Sequence, residues 1–158
     1  MGPLYEITQA IAAAGLPCDL AVVAGRNQAL LDRLRAAAWP APVHTYGFVR
    51  EMPDFMRAAD VLVTKAGPGT ISEAFNAGLP IILYSRLPGQ EAGNVRYVVD
   101  EGAGIWAPTP ERVVAAVRGW IGPGADPTAL GRAAANSRRL ARPEAAREIA
   151  ELLWAYSA

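Results

Sequence analysis

Short apolar runs alternate with amphipathic or alanine-rich segments along the chain. Five runs read as strands: Asp19–Ala24, Val43–Phe48, Val61–Lys65, Ile81–Ser85 and Gly104–Ala107. Most are rich in β-branched residues and nearly continuous in hydrophobicity, as strands covered on both faces should be. Between and before them lie helical stretches at Leu4–Ala14, Gln28–Ala37, Met52–Ala58, Thr70–Ala77 and Asn94–Glu101. Strand followed by helix, repeated, predicts an α/β fold: a Rossmann-like parallel sheet with right-handed crossovers. The last third reads as helices at Glu111–Ile121, Pro127–Ala141 and Pro143–Tyr156, with Pro127 and Pro143 near helix starts, where a missing N–H costs nothing. The tetrapeptide Ala-Gly-Leu-Pro occurs at Ala14–Pro17 and again at Ala77–Pro80. Both copies read as one connector, with glycine ending a helix in the left-handed conformation and proline starting an extended segment.

No stretch is long or polar enough to act as a linker, so residues 1–158 are expected to form a single domain. One departure stands out. Sheets of this class begin with a strand that runs into a glycine-rich turn, yet here Met1-Gly2-Pro3 leads directly into a helix. In the usual order 3-2-1-4-5-6 that first strand is central. The expectation is a sheet lacking its first strand, with an open edge, a rearrangement or a strand swap that would make a homo-oligomer.

Composition narrows the function classes. A chain of 158 residues can bury roughly 70% of its unfolded surface. Net charge is zero with basic residues scattered, which argues against nucleic-acid partners. Cys18 is the only cysteine, so neither an internal disulfide nor a cysteine metal cluster can form, and a reducing, cytoplasmic setting is the default. No apolar run approaches the ~18 residues of a membrane span, so membrane contact is expected to be peripheral or through other polypeptide.

Candidate chemistry concentrates after two consecutive strands. Past Val61–Lys65 the chain turns through Gly67-Pro68-Gly69, and a helix is predicted from about Thr70. Helix N-termini carry unsatisfied N–H groups and partial positive charge, which suit phosphate, and glycine permits close approach. Glu73, one turn on, could accept from a vicinal diol such as ribose. Thr70-x-x-Glu73 equally fits a capping box. The following strand leads into Pro88-Gly89-Gln90-Glu91-Ala92-Gly93-Asn94, whose amide and carboxylate groups suit sugar hydroxyls or an ordinary polar turn. Ligands of parallel sheets bind outside the carboxyl ends of the strands, which places both loops at one edge. Gly47-Phe48-Val49 ends another strand; Phe48 is expected as a core aromatic or as the wall of a base site. Lys65, the only lysine, could neutralise phosphate or cap a solvated strand end. Arg26-Asn27 shares the edge as helix cap or ligand contact, and His44 is expected to be structural.

These motifs together resemble a known family. Gly47-Phe48-Val49…Met52-Pro53, Ala59 through Ala74, Gly78 through Leu83, Pro88-Gly89-Gln90-Glu91…Gly93-Asn94 and Glu101-Gly102-Ala103-Gly104 look like the C-terminal domain of glycosyltransferase family 28. The branch resembled contains monogalactosyldiacylglycerol synthases and processive diacylglycerol glucosyltransferases, and the likeness runs from about Gly2 to Ala107. It implies the donor-binding half of a GT-B enzyme that inverts the anomeric centre and uses UDP-hexose, with galactose favoured. It further implies Glu73 on the ribose, Gly67, Gly69 and Thr70 around the diphosphate, and Phe48 and Val49 beside uracil. Gln90 and Glu91 would then hold the hexose, with Lys65 and Asn94 lining the same site. No metal or cofactor is implied, because helix dipole and backbone N–H groups would stabilise departing UDP. Acceptor binding and the general base belong, in that family, to an N-terminal domain outside these residues. The expected partners are therefore UDP-sugar, that domain or a partner chain, and through it a lipid acceptor at the membrane. The alternative is a non-catalytic nucleotide-sugar subunit of a two-chain N-acetylglucosaminyltransferase.

Overall fold

The computed structural model describes residues 3–157. Its elements are α1 (Leu4–Ala13), β1 (Leu20–Val23), α2 (Gln28–Ala36), β2 (Val43–Tyr46), α3 (Met52–Ala58), β3 (Leu62–Lys65), α4 (Pro68–Ala77), β4 (Ile81–Ser85), α5 (Ala92–Asp100), β5 (Gly104–Trp106), α6 (Pro110–Ile121), α7 (Ala129–Leu140) and α8 (Ala145–Ser157). All the strand pairs are parallel. They form two sheets: β1 with β2, and β3-β4-β5. The expected single sheet is thus corrected to two. The two orders match the 3-2 and 4-5-6 portions of the doubly wound order.

β4 shows how the core is laid out. Side chains alternate between faces with period two. Ile81 and Leu83 enter one cluster with Ile71, Phe75, Val95 and Leu140, while Ile82 and Tyr84 enter another with Ile7, Ile11, Val113 and Val117. Helices α4, α5 and α7 therefore cover one face of the larger sheet, and α1 with α6 covers the other. Two-sided burial explains the unbroken apolar run that marks this strand in the sequence. β5 packs so tightly on β4 that a Cβ at Gly104 would sit 2.2 Å from the Ile81 carbonyl oxygen.

Both Ala-Gly-Leu-Pro connectors behave as expected, with Gly15 at φ +63° and Gly78 at φ +72°. The helix ending at Ala77 is locked from outside as well: buried Ser137 of α7 donates its hydroxyl to the Leu79 carbonyl at 2.7 Å. α7 itself starts after Pro127, at an Asx turn in which Asp126 accepts from the Thr128 amide and hydroxyl. Among the described residues no helix is long and apolar enough to cross a membrane.

Candidate functional site at the carboxyl edge of the strands

The β3–α4 turn differs from the sequence reading in one way that matters. Helix α4 starts at Pro68, not Thr70, with Gly67 as N-cap and no side-chain cap bond. Proline at the first position fits because its missing N–H has no partner there anyway. Thr70 is therefore the third helical residue, and the capping box of Thr70 and Glu73 is not formed. The first intrahelical bond runs from the Ile71 amide to Gly67 O at 3.1 Å. Ahead of it, Gly69 and Thr70 hold N–H groups without an intrahelical acceptor, at the positive end of the helix dipole. Glu73 lies three residues beyond Thr70 and four beyond Gly69, so all three share one helix face. Its side chain is exposed.

The second loop is tied to this turn. Asn94, in the first turn of α5, donates its Nδ2 to the Ala66 carbonyl at 2.8 Å. Ala66 is itself fully buried and donates its amide to Ser85 O. One side chain thus fixes α5 against the start of α4. Glu91 closes its own loop by accepting the Leu87 amide on Oε2 at 2.7 Å, while Gln90 is exposed. So Asn94 and one oxygen of Glu91 have structural partners, and Gln90, Gly69, Thr70 and Glu73 face outward. A cleft of about 270 Å³ lies on a different face of α4, lined by Pro68, Ser72 and Asn76 together with Asn94, Tyr97 and Arg142, and none of Gly69, Thr70, Glu73 and Gln90 lines it.

Phe48 corrects the expectation of a core aromatic. The strand stops at Tyr46, and Phe48 is 60% exposed in the loop that follows, with half-buried Val49 beside it. The guanidinium of Arg26, just past β1, lies 5.0 Å from the Phe48 ring centroid, within cation–π range. Asn27 resolves to a helix cap, its side chain accepting from the Leu30 amide at 3.1 Å. Lys65 ends β3 and opens onto a separate cavity between the two sheets. His44 is exposed on β2.

Arg86 was missed as a candidate. It follows β4 directly and stacks 5.6 Å from the Trp106 ring centroid. Arg26, Arg50, Lys65 and Arg86 all lie within four residues of the ends of β1 to β4, so each of these strands delivers a cation to the same edge. Taken one strand at a time that pattern is invisible; it could have been found by aligning the strand ends. The carboxylates of Glu73 and Glu91 share the edge. The arrangement offers N–H donors and cations for a polyanion, acceptors for hydroxyls, and an exposed aromatic for a flat ring.

Comparison with known proteins places the domain in a family. The Glycosyltransferase family 28 C-terminal domain matches residues 21–141. A probable monogalactosyldiacylglycerol synthase of Nicotiana tabacum is 42% identical, with 94% of this chain and 29% of that protein covered. Monogalactosyldiacylglycerol synthase 1 of Arabidopsis thaliana is 40% identical over the same shares. This chain thus spans under a third of the length of these relatives. Among solved structures, MurG of Acinetobacter baumannii superposes with a TM-score of 0.69 at 22% identity, covering 90% of this chain and 43% of that one. The spinosyn rhamnosyltransferase SpnG complexed with thymidine diphosphate gives 0.69 at 19% identity, covering 95% and 41%. The chain belongs to the glycosyltransferase family 28 C-terminal domain, with a GT-B-type fold.

Proposed function

We propose that this domain binds a UDP-hexose and forms the donor half of an inverting transferase that places the sugar, galactose in the favoured reading, on diacylglycerol. The observation that carries the reading is the start of α4. Two free backbone donors, Gly69 and Thr70, and one exposed carboxylate, Glu73, share a face at the carboxyl edge of the strands. Diphosphate needs the donors and ribose needs the carboxylate. Gly67 lets the diphosphate approach the backbone, and the helix dipole offsets the charge of departing UDP without a metal. Phe48 and Val49 take uracil. Gln90 and the free oxygen of Glu91 reach for hexose hydroxyls, and Asn94 holds their loop in register with the diphosphate turn.

Identity of 42% to a monogalactosyldiacylglycerol synthase supports the galactolipid reading over that of an N-acetylglucosaminyltransferase subunit. Acceptor recognition, the general base and membrane contact are assigned to polypeptide outside these residues. This chain alone is therefore expected to bind UDP without transferring sugar.

Calorimetry with UDP tests the assignment. Losing two charge-assisted hydrogen bonds in Glu73→Ala should cost about 2–3 kcal/mol, weakening UDP roughly 30–150-fold. Unchanged affinity in a folded variant removes Glu73 from the site.

A further inference from the structure

The cleft of about 270 Å³ beside α4 is walled by three separate segments. Ile71 and Phe75 of α4, with Leu140 at the end of α7, are buried core residues that give it an apolar floor. Tyr97 of α5 is half exposed and stands against Phe75, with ring centroids 6.1 Å apart and planes at 73°. Two rings meeting at that angle form an aromatic corner, whose open side suits a third flat group. The connector after α7 closes the last wall. Its Arg142 donates the backbone amide to Asn76 Oδ1 at 3.0 Å, which pins that wall to α4.

The polar groups around this floor are mostly donors. Asn76 has committed its carbonyl oxygen to the Arg142 amide, which leaves its Nδ2 hydrogens for a ligand. Ser72 and Tyr97 add hydroxyls that can donate. Among the described residues lining the cleft, Arg142 is the one that carries a charge. Its guanidinium donates through Nη1 to the Ala141 carbonyl at 2.8 Å, and no carboxylate of the described residues pairs with it. Glu144, two residues on, is held instead by Arg147 at 2.9 Å. A guanidinium has five N–H donors, so most of this fork is uncommitted.

We infer that this cleft is a binding site for a small aryl carboxylate, one flat ring carrying one carboxyl group. The ring enters the corner of Phe75 and Tyr97, and the carboxylate takes the Arg142 fork, with Ser72 or Asn76 as a further donor. Charge and size both set it apart from a nucleotide-sugar site. One cation does not balance a diphosphate, and about 270 Å³ falls below the roughly 300–1,000 Å³ of sites for larger ligands. Gly69, Thr70 and Glu73 lie outside the lining, so the inference does not depend on the donor reading. Helix α4 carries both surfaces. A bound acid therefore braces that helix against α5 and the connector from the side away from Glu73.

The test titrates 3-phenylpropanoate into the chain and follows amide shifts by NMR. Saturable shifts are expected at Ser72, Asn76, Tyr97 and Arg142, with a dissociation constant of about 5 mM or tighter. Arg142→Gln removes the charge, keeps the backbone bond to Asn76, and should weaken the acid at least about tenfold. Ser72→Leu keeps the charge and fills the cleft from an exposed helical position that accepts leucine, and it should abolish the shifts. The uncharged 3-phenylpropanamide should bind the native chain at least about tenfold more weakly than the acid. UDP added to the saturated chain should leave the shifts in place. No saturable shift up to about 20 mM overturns the inference, as does unchanged affinity in either variant. Equal binding of acid and amide overturns the carboxylate assignment, and displacement by UDP overturns the separate site.

Discussion

Replacing Asn94 by aspartate sets two physical effects against each other. The position is the third residue of α5, within its first turn. Helix-dipole reasoning alone says that a carboxylate there stabilises, by about 0.3–1 kcal/mol. The hydrogen bond says the opposite. Asn94 Nδ2 lies 2.8 Å from the Ala66 carbonyl oxygen, and Ala66 is completely buried. Aspartate removes the donor and places an acceptor against an acceptor, so the cost of an unsatisfied buried group applies, about 1–3 kcal/mol. The larger effect decides the sign. Asn94→Asp should destabilise, lowering Tm by a few degrees at about 2–4 °C per kcal/mol for a chain of this size. Asn94→Ala, which loses the bond without adding repulsion and gains up to about 0.7 kcal/mol in helix propensity, should fall between aspartate and the native residue. Urea titration at neutral pH measures the order directly. An aspartate variant as stable as the native chain would show that Asn94 does not hold the two loops together.

Three further outcomes are expected. Phe48→Ala should weaken UDP by about 1–3 kcal/mol through lost base stacking while leaving inorganic pyrophosphate unaffected in the same calorimeter; equal loss for both would place Phe48 away from the base. Asp126 is held at about 2 by hydrogen bonds from the Thr128 hydroxyl and amide and from Arg132. A depressed folded-state value contributes stability above the ordinary carboxylate value near 4 and loses it as pH falls toward 2. The stability difference between the native chain and Asp126→Asn should then be constant above about pH 5 and vanish near pH 2, and a gap that persists in acid refutes that origin. Gly104→Ala would drive a methyl to 2.2 Å from the Ile81 carbonyl and 2.6 Å from Val98 Cγ1, where the neighbour is backbone and cannot swing away. Thermal unfolding should show a loss of about 3 kcal/mol or more, the upper end of overpacking costs; a loss near zero would mean that β5 can slide.

What was legible followed from local physics. Ile81–Ser85 was read with its observed bounds because two-sided burial writes an unbroken apolar run. Met52–Ala58 was equally clear, as were the two left-handed glycines. Errors arose where neighbours in space decide. Gly67-Pro68-Gly69 looked like a turn by composition, but the fixed φ of Pro68 serves as well to start a helix, and that shift of two residues dissolved the capping box. Phe48 carried a core reading beside that of a base wall because it continues a strand pattern; the strand stops at Tyr46, the ring is exposed, and Arg26, distant in sequence, stacks near it. The Asn94 to Ala66 bond spans twenty-eight positions, and nothing in either segment announces it.

The split sheet and the candidate donor site meet at Lys65. It ends β3 and lines the cavity between the two sheets. The next residue, Ala66, is fully buried and bonded on both sides, to Ser85 by its amide and to Asn94 by its carbonyl. Gly67 follows as the cap of α4. Three consecutive residues thus connect the free edge of β3 to the N–H groups of Gly69 and Thr70, with little slack between them. The start of α4 is thus held through Ala66 by β4 and α5 together. A preorganised group of donors loses less entropy on binding than one that its ligand must order, so loosening Ala66 should weaken any anion bound at the start of α4 without removing a group that touches it.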